Sequence, residues 1–433
     1  MRIRSRRPDK GAERRRLRSS TELPTIEGGL TGPVGAASRI PGVDGFRAVA
    51  VLAVLVYHNW LYTAPQPEDL GYLSRFVLPH LPVGVTLFFV LSGFLLYRPF
   101  VARALTGRRP PTLRHYLRNR ALRIFPAYWV ILLATGVILP ANIVRISPTE
   151  VELGRLEPTV LLRNAGLVQN YFAGSMDTGI PPAWSLAVEW FFYLVLPFLG
   201  MLAVLVAART VGRRGRTVAT LIPPLLLFLT GIVTPWIRDN LEPGTMQNAL
   251  GRSFLNHGDL FAFGMVLAIV MASIEHGGLR IPRWWRVPAF GLVAALTLVT
   301  MLLADRELIY TYRGAVRYEL LTGTAAMLLL ALVVLPSANG SLSILTRILD
   351  SRAFVAFGLI SYSLFLWHEP LQRLAFEQGL TLPGVSGFWA NLVILGVVAA
   401  ALSVLTYRFV EQPALARKAR RGRGEQADRP SSG

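Results

Sequence analysis

About ten stretches of roughly 20 mostly apolar residues recur along this chain, near 43–63, 83–101, 123–140, 184–208, 218–237, 256–275, 286–304, 317–336, 353–373 and 387–410. A helix rises about 1.5 Å per residue, so ~20 such residues match the ~30 Å hydrocarbon core of a bilayer. Within that core no water satisfies a backbone N–H or C=O, and a run of this length meets the demand by becoming a helix. The composition agrees, since 52% hydrophobic and only 16% charged residues is too apolar for an ordinary soluble domain. The expected fold is therefore an all-α integral membrane protein, with about ten transmembrane helices in one bundle. Some 40 mostly polar residues precede the first run, so it is expected to stay as a helix rather than be removed as a signal segment.

Basic residues predict the sidedness, because loops rich in Lys and Arg stay in the cytoplasm. With the N-terminus inside, the inner segments 1–42, 102–123, 209–216, 276–286, 337–352 and 411–433 hold 32 Lys and Arg, against nine in the outer loops. This bias fits an even number of spans in the cell membrane with both termini cytoplasmic. Topology and attraction to anionic membrane lipids account for much of the +20 net charge, so nucleic acid is not an expected partner.

Three regions are expected: a basic, disordered cytoplasmic tail over 1–39, a transmembrane domain over 40–411, and a second basic, disordered tail over 412–433. No internal repeat of the kind found in many transporters is visible. The longest outer connection, 141–183, carries apolar patches of its own and is expected to fold over the outer mouth. The chain contains no Cys, which excludes disulfides, thiolate metal ligands and a Cys nucleophile within it.

Ionisable residues inside the apolar runs carry the functional information. In "GVDGFRAVAVLAVLVYHNW", Arg47 and His58 are eleven residues apart; on a helix that places them on one face, about 16 Å apart along the axis. Charged groups in a span usually face a bundle interior, where they have a partner or a function. Asp44, three residues before Arg47, offers a local ion pair. In "VGVTLFFVLSGFLLYR", Ser92 and Gly93 permit close approach of a neighbouring helix. Arg120 and Arg123 stand one turn apart where the third span begins, and such a fork suits phosphate groups. "PPAWSLAVEWFFY" places Trp184, Ser185 and Glu189 in the opening turns of a span. "FGLISYSLFLWHEPL" carries Ser361, Tyr362, Ser363, His368 and Glu369 on another. His257 and Asp259 open the span near 256–275, and Glu411 closes the last one.

Taken together, these stretches resemble the acyltransferase-3 family of integral-membrane O-acyltransferases, which includes O-antigen, peptidoglycan and macrolide acylating members. The likeness covers about 40–411. The family's Asp-Gly-Leu-Arg, apolar stretch, His pattern is present as "DGFRAVAVLAVLVYH"; "FFVLSGFL" is present at 88–95; Arg-x-x-Arg is Arg120 and Arg123; "WSLxxE" is Trp184 to Glu189; and "SYSLFLWHEPL" is close to the family's "SYSLYLWHxP". Departures are Thr86 for a common Asp, Trp190 for a second acidic residue, and Glu369 for an aromatic or apolar one.

The resemblance implies transfer of an acyl group, acetyl being expected, from acyl-CoA to a hydroxyl of a carbohydrate-containing acceptor. Acetyl-CoA would be a co-substrate, with no permanently bound cofactor and no metal. His58 would be the general base, with Glu189 expected to orient it, and Arg47, Arg120 and Arg123 would hold the phosphates of coenzyme A. Asp44, Ser92, Trp184, Ser185, Tyr362, His368 and Glu411 would support the site. The expected acceptor is a cell-surface glycan or glycolipid, with a small glycosylated metabolite of the macrolide type as the alternative. A proton-coupled transporter is the rival from another class, because buried Arg, His, Glu and Asp are also what a proton relay needs.

Overall fold

The computed structural model describes residues 39–63, 70–139, 141–146, 151–176, 178–282, 284–303, 312–336 and 342–417. Its long helices follow the apolar runs. They are α1 (Val43–Thr63), α2 (Val83–Thr106), α3 (Leu113–Leu133), then, after a short α4 (Pro158–Ala165), α5 (Ala183–Ala208). A short α6 (Gly212–Ala219) leads into α7 (Ile222–Asp239), and α8 (Thr245–Gly251) into α9 (Gly258–Glu275). The series closes with α10 (Arg286–Leu303), α11 (Tyr312–Val334), α12 (Ile344–Leu349), α13 (Arg352–Glu377) and α14 (Gly384–Thr406).

Among the described residues nine helical stretches are long and apolar enough to cross a membrane, so this is a multi-pass membrane protein. The tenth expected run forms α1, which falls outside those nine; Asp44, Arg47, His58 and Asn59 dilute its apolar character. Some boundaries differ from the sequence expectation. The third span begins at Leu113 rather than near 123, because the basic segment "LRHYLRNRAL" is itself made largely of helix formers. The last helical stretch runs to Arg417, past the expected end at 411, through the helix-forming "ALAR". The tails expected to be disordered otherwise lie outside the described residues.

Burial separates central from peripheral helices. In the most apolar window of each, 67% is buried for α9 and 61% for the α13 stretch, against 11% for α10. On α10, Val287, Phe290 and Leu302 point outward, as a lipid-facing surface requires. Close backbone contact sets the centre. Gly93 of α2 lies against the Phe261 backbone of α9, and Gly264 of α9 lies against the backbones of Val90 and Phe94. In the same way Gly358 of α13 meets the Asp44 backbone of α1. Small residues allow such approach where the hydrophobic effect does not drive helices together. A side chain at Gly264 would have to displace backbone, so Gly264→Leu is expected to destabilise the bundle by about 1–3 kcal/mol or more. A thermal melt of detergent-purified protein measures this, and an unchanged midpoint would sink the packing argument.

The connection between α3 and α5 carries the departure from an all-helical chain. Strands β1 (Asn142–Ile146) and β2 (Val151–Gly154) pair antiparallel, with Ile143 opposite Leu153. The segment is tied down by buried polar groups. Tyr128 of α3 donates to the Asn164 carbonyl at 2.8 Å, and the Asn170 side-chain amide donates to the carbonyls of Trp184 and Arg252 at 2.9 and 3.0 Å. The long connection thus folds onto the start of α5 and fixes the turn from which Ser185 and Glu189 project.

Candidate active site

Helices α1, α2, α3, α5 and α13 enclose a cavity of about 830 Å³, counting its open mouth, a size in the range of small-molecule sites. Three guanidinium groups line it, those of Arg47, Arg120 and Arg123, together with one carboxylate, Glu189. Ser92, Ser185, Ser361, Tyr193 and Tyr362 add hydroxyl-bearing side chains to the wall, while Phe88, Phe89 and Phe365 are among its apolar liners. Eight of the residues that the sequence marks therefore converge here: Arg47, Ser92, Arg120, Arg123, Ser185, Glu189, Ser361 and Tyr362.

Each arginine is held differently. Arg47 pairs with Asp44 one turn earlier at 3.4 Å, as their spacing predicts. Arg123 pairs with the buried Glu411 at 3.3 Å, and Glu411 in turn accepts a hydrogen bond from Ser363 Oγ at 2.5 Å. The last helical segment is thereby tied to α3 and α13. The Arg120 guanidinium lies 5.8 Å from the centre of the Tyr193 ring, and its buried Nε has no hydrogen-bond partner. A guanidinium N–H left without a protein acceptor at a cavity wall can donate to an anion.

Glu189 accepts from Ser92 Oγ and, at 2.5 Å, from the hydroxyl of Tyr193 one turn along α5. Tyr362 donates to the Ile124 carbonyl at 2.8 Å, and Ser185 back-bonds to Pro182 at 2.9 Å. Trp184 stands behind the cavity wall, edge-on to Phe89 with ring centres 6.5 Å apart.

His58 is not among the lining residues. Phe88 and Phe365, which line the cavity, pack edge-on with ring centres 5.8 Å apart. His58 lies against His368, whose ring is 5.9 Å from that of the cavity-lining Phe365. The expectation that Glu189 orients His58 is also replaced: Glu189 serves Ser92 and Tyr193, and the partner of His58 is His368. His58 Nδ1 is 2.9 Å from the Val54 carbonyl and 3.2 Å from His368 Nε2, while His368 Nδ1 is 3.0 Å from the Leu364 carbonyl.

These contacts assign the tautomers. A carbonyl oxygen only accepts, so both Nδ1 atoms carry hydrogen when the rings are neutral. His368 Nε2 then accepts from His58 Nδ1–H, and the lone pair of His58 Nε2 is left to act as a base. Sequence marks His368 only as a supporting residue; its carbonyl-locked ring holds the imidazole of His58 as a carboxylate holds the base in a catalytic triad. Farther along the same two helices, Tyr62 donates to Glu369 at 2.6 Å, and Arg373 pairs with Glu369 and donates to the Tyr62 hydroxyl at 2.9 Å. This buried network clamps α1 to α13. Tyr193, one turn from Glu189, is a cavity residue that the i,i+4 spacing could have revealed; Phe365 carries no such signal.

The chain is similar to several known proteins. The sequence pattern of a family described as an acyltransferase domain matches residues 40–408. A Bacillus subtilis (strain 168) protein with the provisional name peptidoglycan O-acetyltransferase YrhL is 25% identical over 384 residues, covering 86% of this chain and 54% of that protein. A Staphylococcus aureus (strain COL) protein provisionally named an O-acetyltransferase is 23% identical, over 86% of this chain and 57% of its own length. The chain spans about half the length of these two. Acyltransferase MdmB of Streptomyces mycarofaciens is 25% identical over 386 residues, 87% of this chain and 92% of MdmB. No solved structure matches the chain.

Proposed function

The chain belongs to this acyltransferase-domain family, and from that premise we propose that it is a membrane O-acyltransferase that moves an acyl group, acetyl in the simplest case, from acyl-CoA to a hydroxyl of a carbohydrate-containing acceptor. The observation that carries the reading is the pairing of a three-arginine cavity with an adjacent imidazole whose Nε2 is a free base. Coenzyme A bears several phosphate charges. Arg120, with its unpartnered Nε, and Arg123, oriented by Glu411, would bind them in forked, charge-assisted contacts. Arg47 would add a third positive group, held in place by Asp44.

The reaction needs one proton moved and one bond exchanged. His58 Nε2 takes the proton of the acceptor hydroxyl as the oxygen attacks the thioester carbonyl. The tetrahedral intermediate collapses, the C–S bond breaks, and the proton passes to the leaving thiolate to give coenzyme A as the free thiol. While His58 is protonated, its Nδ1–H is shared between the Val54 carbonyl and His368 Nε2, a fixed pair of acceptors that stabilises the imidazolium. Glu189 fixes Ser92 and Tyr193 in the cavity wall. The names of the relatives, which mention peptidoglycan O-acetylation in one case, favour a glycan as acceptor.

Membranes containing the protein, supplied with acetyl-CoA labelled in its acetyl group, should form an alkali-labile, hydroxyl-linked product; label remaining wholly in acetyl-CoA, in membranes that hold a glycan acceptor, would overturn the reading. Donor access requires that the start of α3 face the cytoplasm. Because the chain has no Cys, single cysteines at Ser20, Ser147 and Ser431 report the sidedness. An impermeant thiol reagent should label only the Ser147→Cys protein in intact cells, and all three after lysis. Labelling of Ser20→Cys or Ser431→Cys in intact cells would place Arg120 and Arg123 away from the cytoplasmic coenzyme A pool.

A further inference from the structure

A third imidazole stands outside this catalytic machinery. His257, immediately before α9, has its Nδ1 2.8 Å from Glu319 Oε1 of α11. A carboxylate accepts, so Nδ1 carries the hydrogen and Nε2 presents a lone pair. That Nε2 is buried and has no hydrogen-bond partner, a state that native structures rarely leave unexplained. Asp259, the second residue of α9 and 1% exposed, also faces Glu319 and keeps a buried, unpartnered Oδ1.

The surroundings connect His257 to the wall of the arginine cavity. The His257 ring lies 5.5 Å from Trp184 and 5.8 Å from Phe89, and Phe89 lines the arginine cavity. A hydrogen-bond acceptor beside an indole is the combination that recognises a sugar: the lone pair takes a hydroxyl, and the ring covers an apolar face.

We propose that His257, held in this tautomer by Glu319, binds a hydroxyl of the carbohydrate acceptor through Nε2, with Trp184 as the apolar wall. His257 is then a specificity-determining residue, and Glu319 is the residue that positions it. The inference rests on the acyltransferase reading above, and it assigns the acceptor to the His257 side of the bundle.

Octyl β-glucoside serves as the probe, a pyranoside with free hydroxyls that partitions to the membrane. Full-length protein in lipid nanodiscs is assayed for acetyl transfer from acetyl-CoA while each substrate is varied. His257→Phe keeps a ring between Trp184 and Phe89, and is expected to raise the half-saturating glucoside concentration about fivefold or more, with the acetyl-CoA dependence within twofold of wild type. Glu319→Gln, nearly isosteric, is expected to shift the glucoside constant in the same direction while kcat is largely retained, a split that simple loss of stability would not produce. An unchanged glucoside constant in both variants, or a shift in the acetyl-CoA constant alone, would overturn the proposal. So would a wild-type protein that transfers nothing to the glucoside. His58→Ala in the same assay separates the two claims: its effect on turnover reports the base, whereas the glucoside constant reports His257.

Discussion

Replacing His58 with Ala is expected to lower acyl transfer by about 10²–10⁴-fold, the range over which a positioned general base acts, without loss of expression or membrane insertion. His58 sits on α1 beside His368 rather than in a tightly sealed contact, being only partly buried as a residue, so removal of its ring leaves the Tyr62–Glu369–Arg373 clamp intact. The loss belongs in kcat, with donor affinity preserved, because His58 does not line the arginine cavity. His368→Ala should fall in the same direction by a smaller factor, since it removes the acceptor for His58 Nδ1–H while Val54 still holds that hydrogen. Transfer of labelled acetyl in membranes decides the matter. Activity at half of wild type or better in His58→Ala would remove this imidazole from the chemistry.

Arg120→Ala and Arg123→Ala should weaken donor binding more than they slow turnover at saturating donor. A hydrogen bond to a charged group contributes about 1.5–3 kcal/mol, so each loss is expected to raise the dissociation constant for coenzyme A by about 10–150-fold. The Arg120 effect should be the cleaner one. Its Nε has no partner to abandon, whereas Arg123→Ala also strips Glu411 of its ion pair and leaves a buried carboxylate with Ser363 alone. Arg123→Ala is thus expected to lower stability as well as affinity. Titration of coenzyme A against purified protein, alongside a thermal melt, distinguishes the two. Unchanged affinity in both variants would leave these arginines with no role beyond setting topology.

Much of the architecture is legible in the amino-acid sequence because the bilayer imposes a simple rule. A run of about 20 apolar residues has one way to satisfy its backbone in lipid, and each of the ten runs in this chain forms a helix. The local spacing rules are similarly reliable. Asp44 and Arg47 pair across one turn, and Glu189 meets Tyr193 across another, because residues three or four apart share a helix face whatever the rest of the fold does.

Partners between helices follow no such rule. Sequence periodicity directs Arg47 and His58 to the same side of α1, and it is silent on what each one meets there. Arg47 lines the cavity, whereas His58 is outside its lining and meets His368 of α13. Glu189 is at a plausible depth for His58, but rotation of α5 turns it toward Ser92, and the seam between α1 and α13 brings His368 instead. The pairing of His257 with Glu319, 62 residues apart, likewise depends on how α9 meets α11. Amino-acid sequence alone determined the solvent, the helices and the ionisable groups that enter the bundle, because these depend on transfer energies and on neighbours within one turn. Only tertiary structure decided which imidazole, carboxylate and guanidinium face one another, because helix rotation and the close contacts at Gly93, Gly264 and Gly358 are collective properties of the packed bundle.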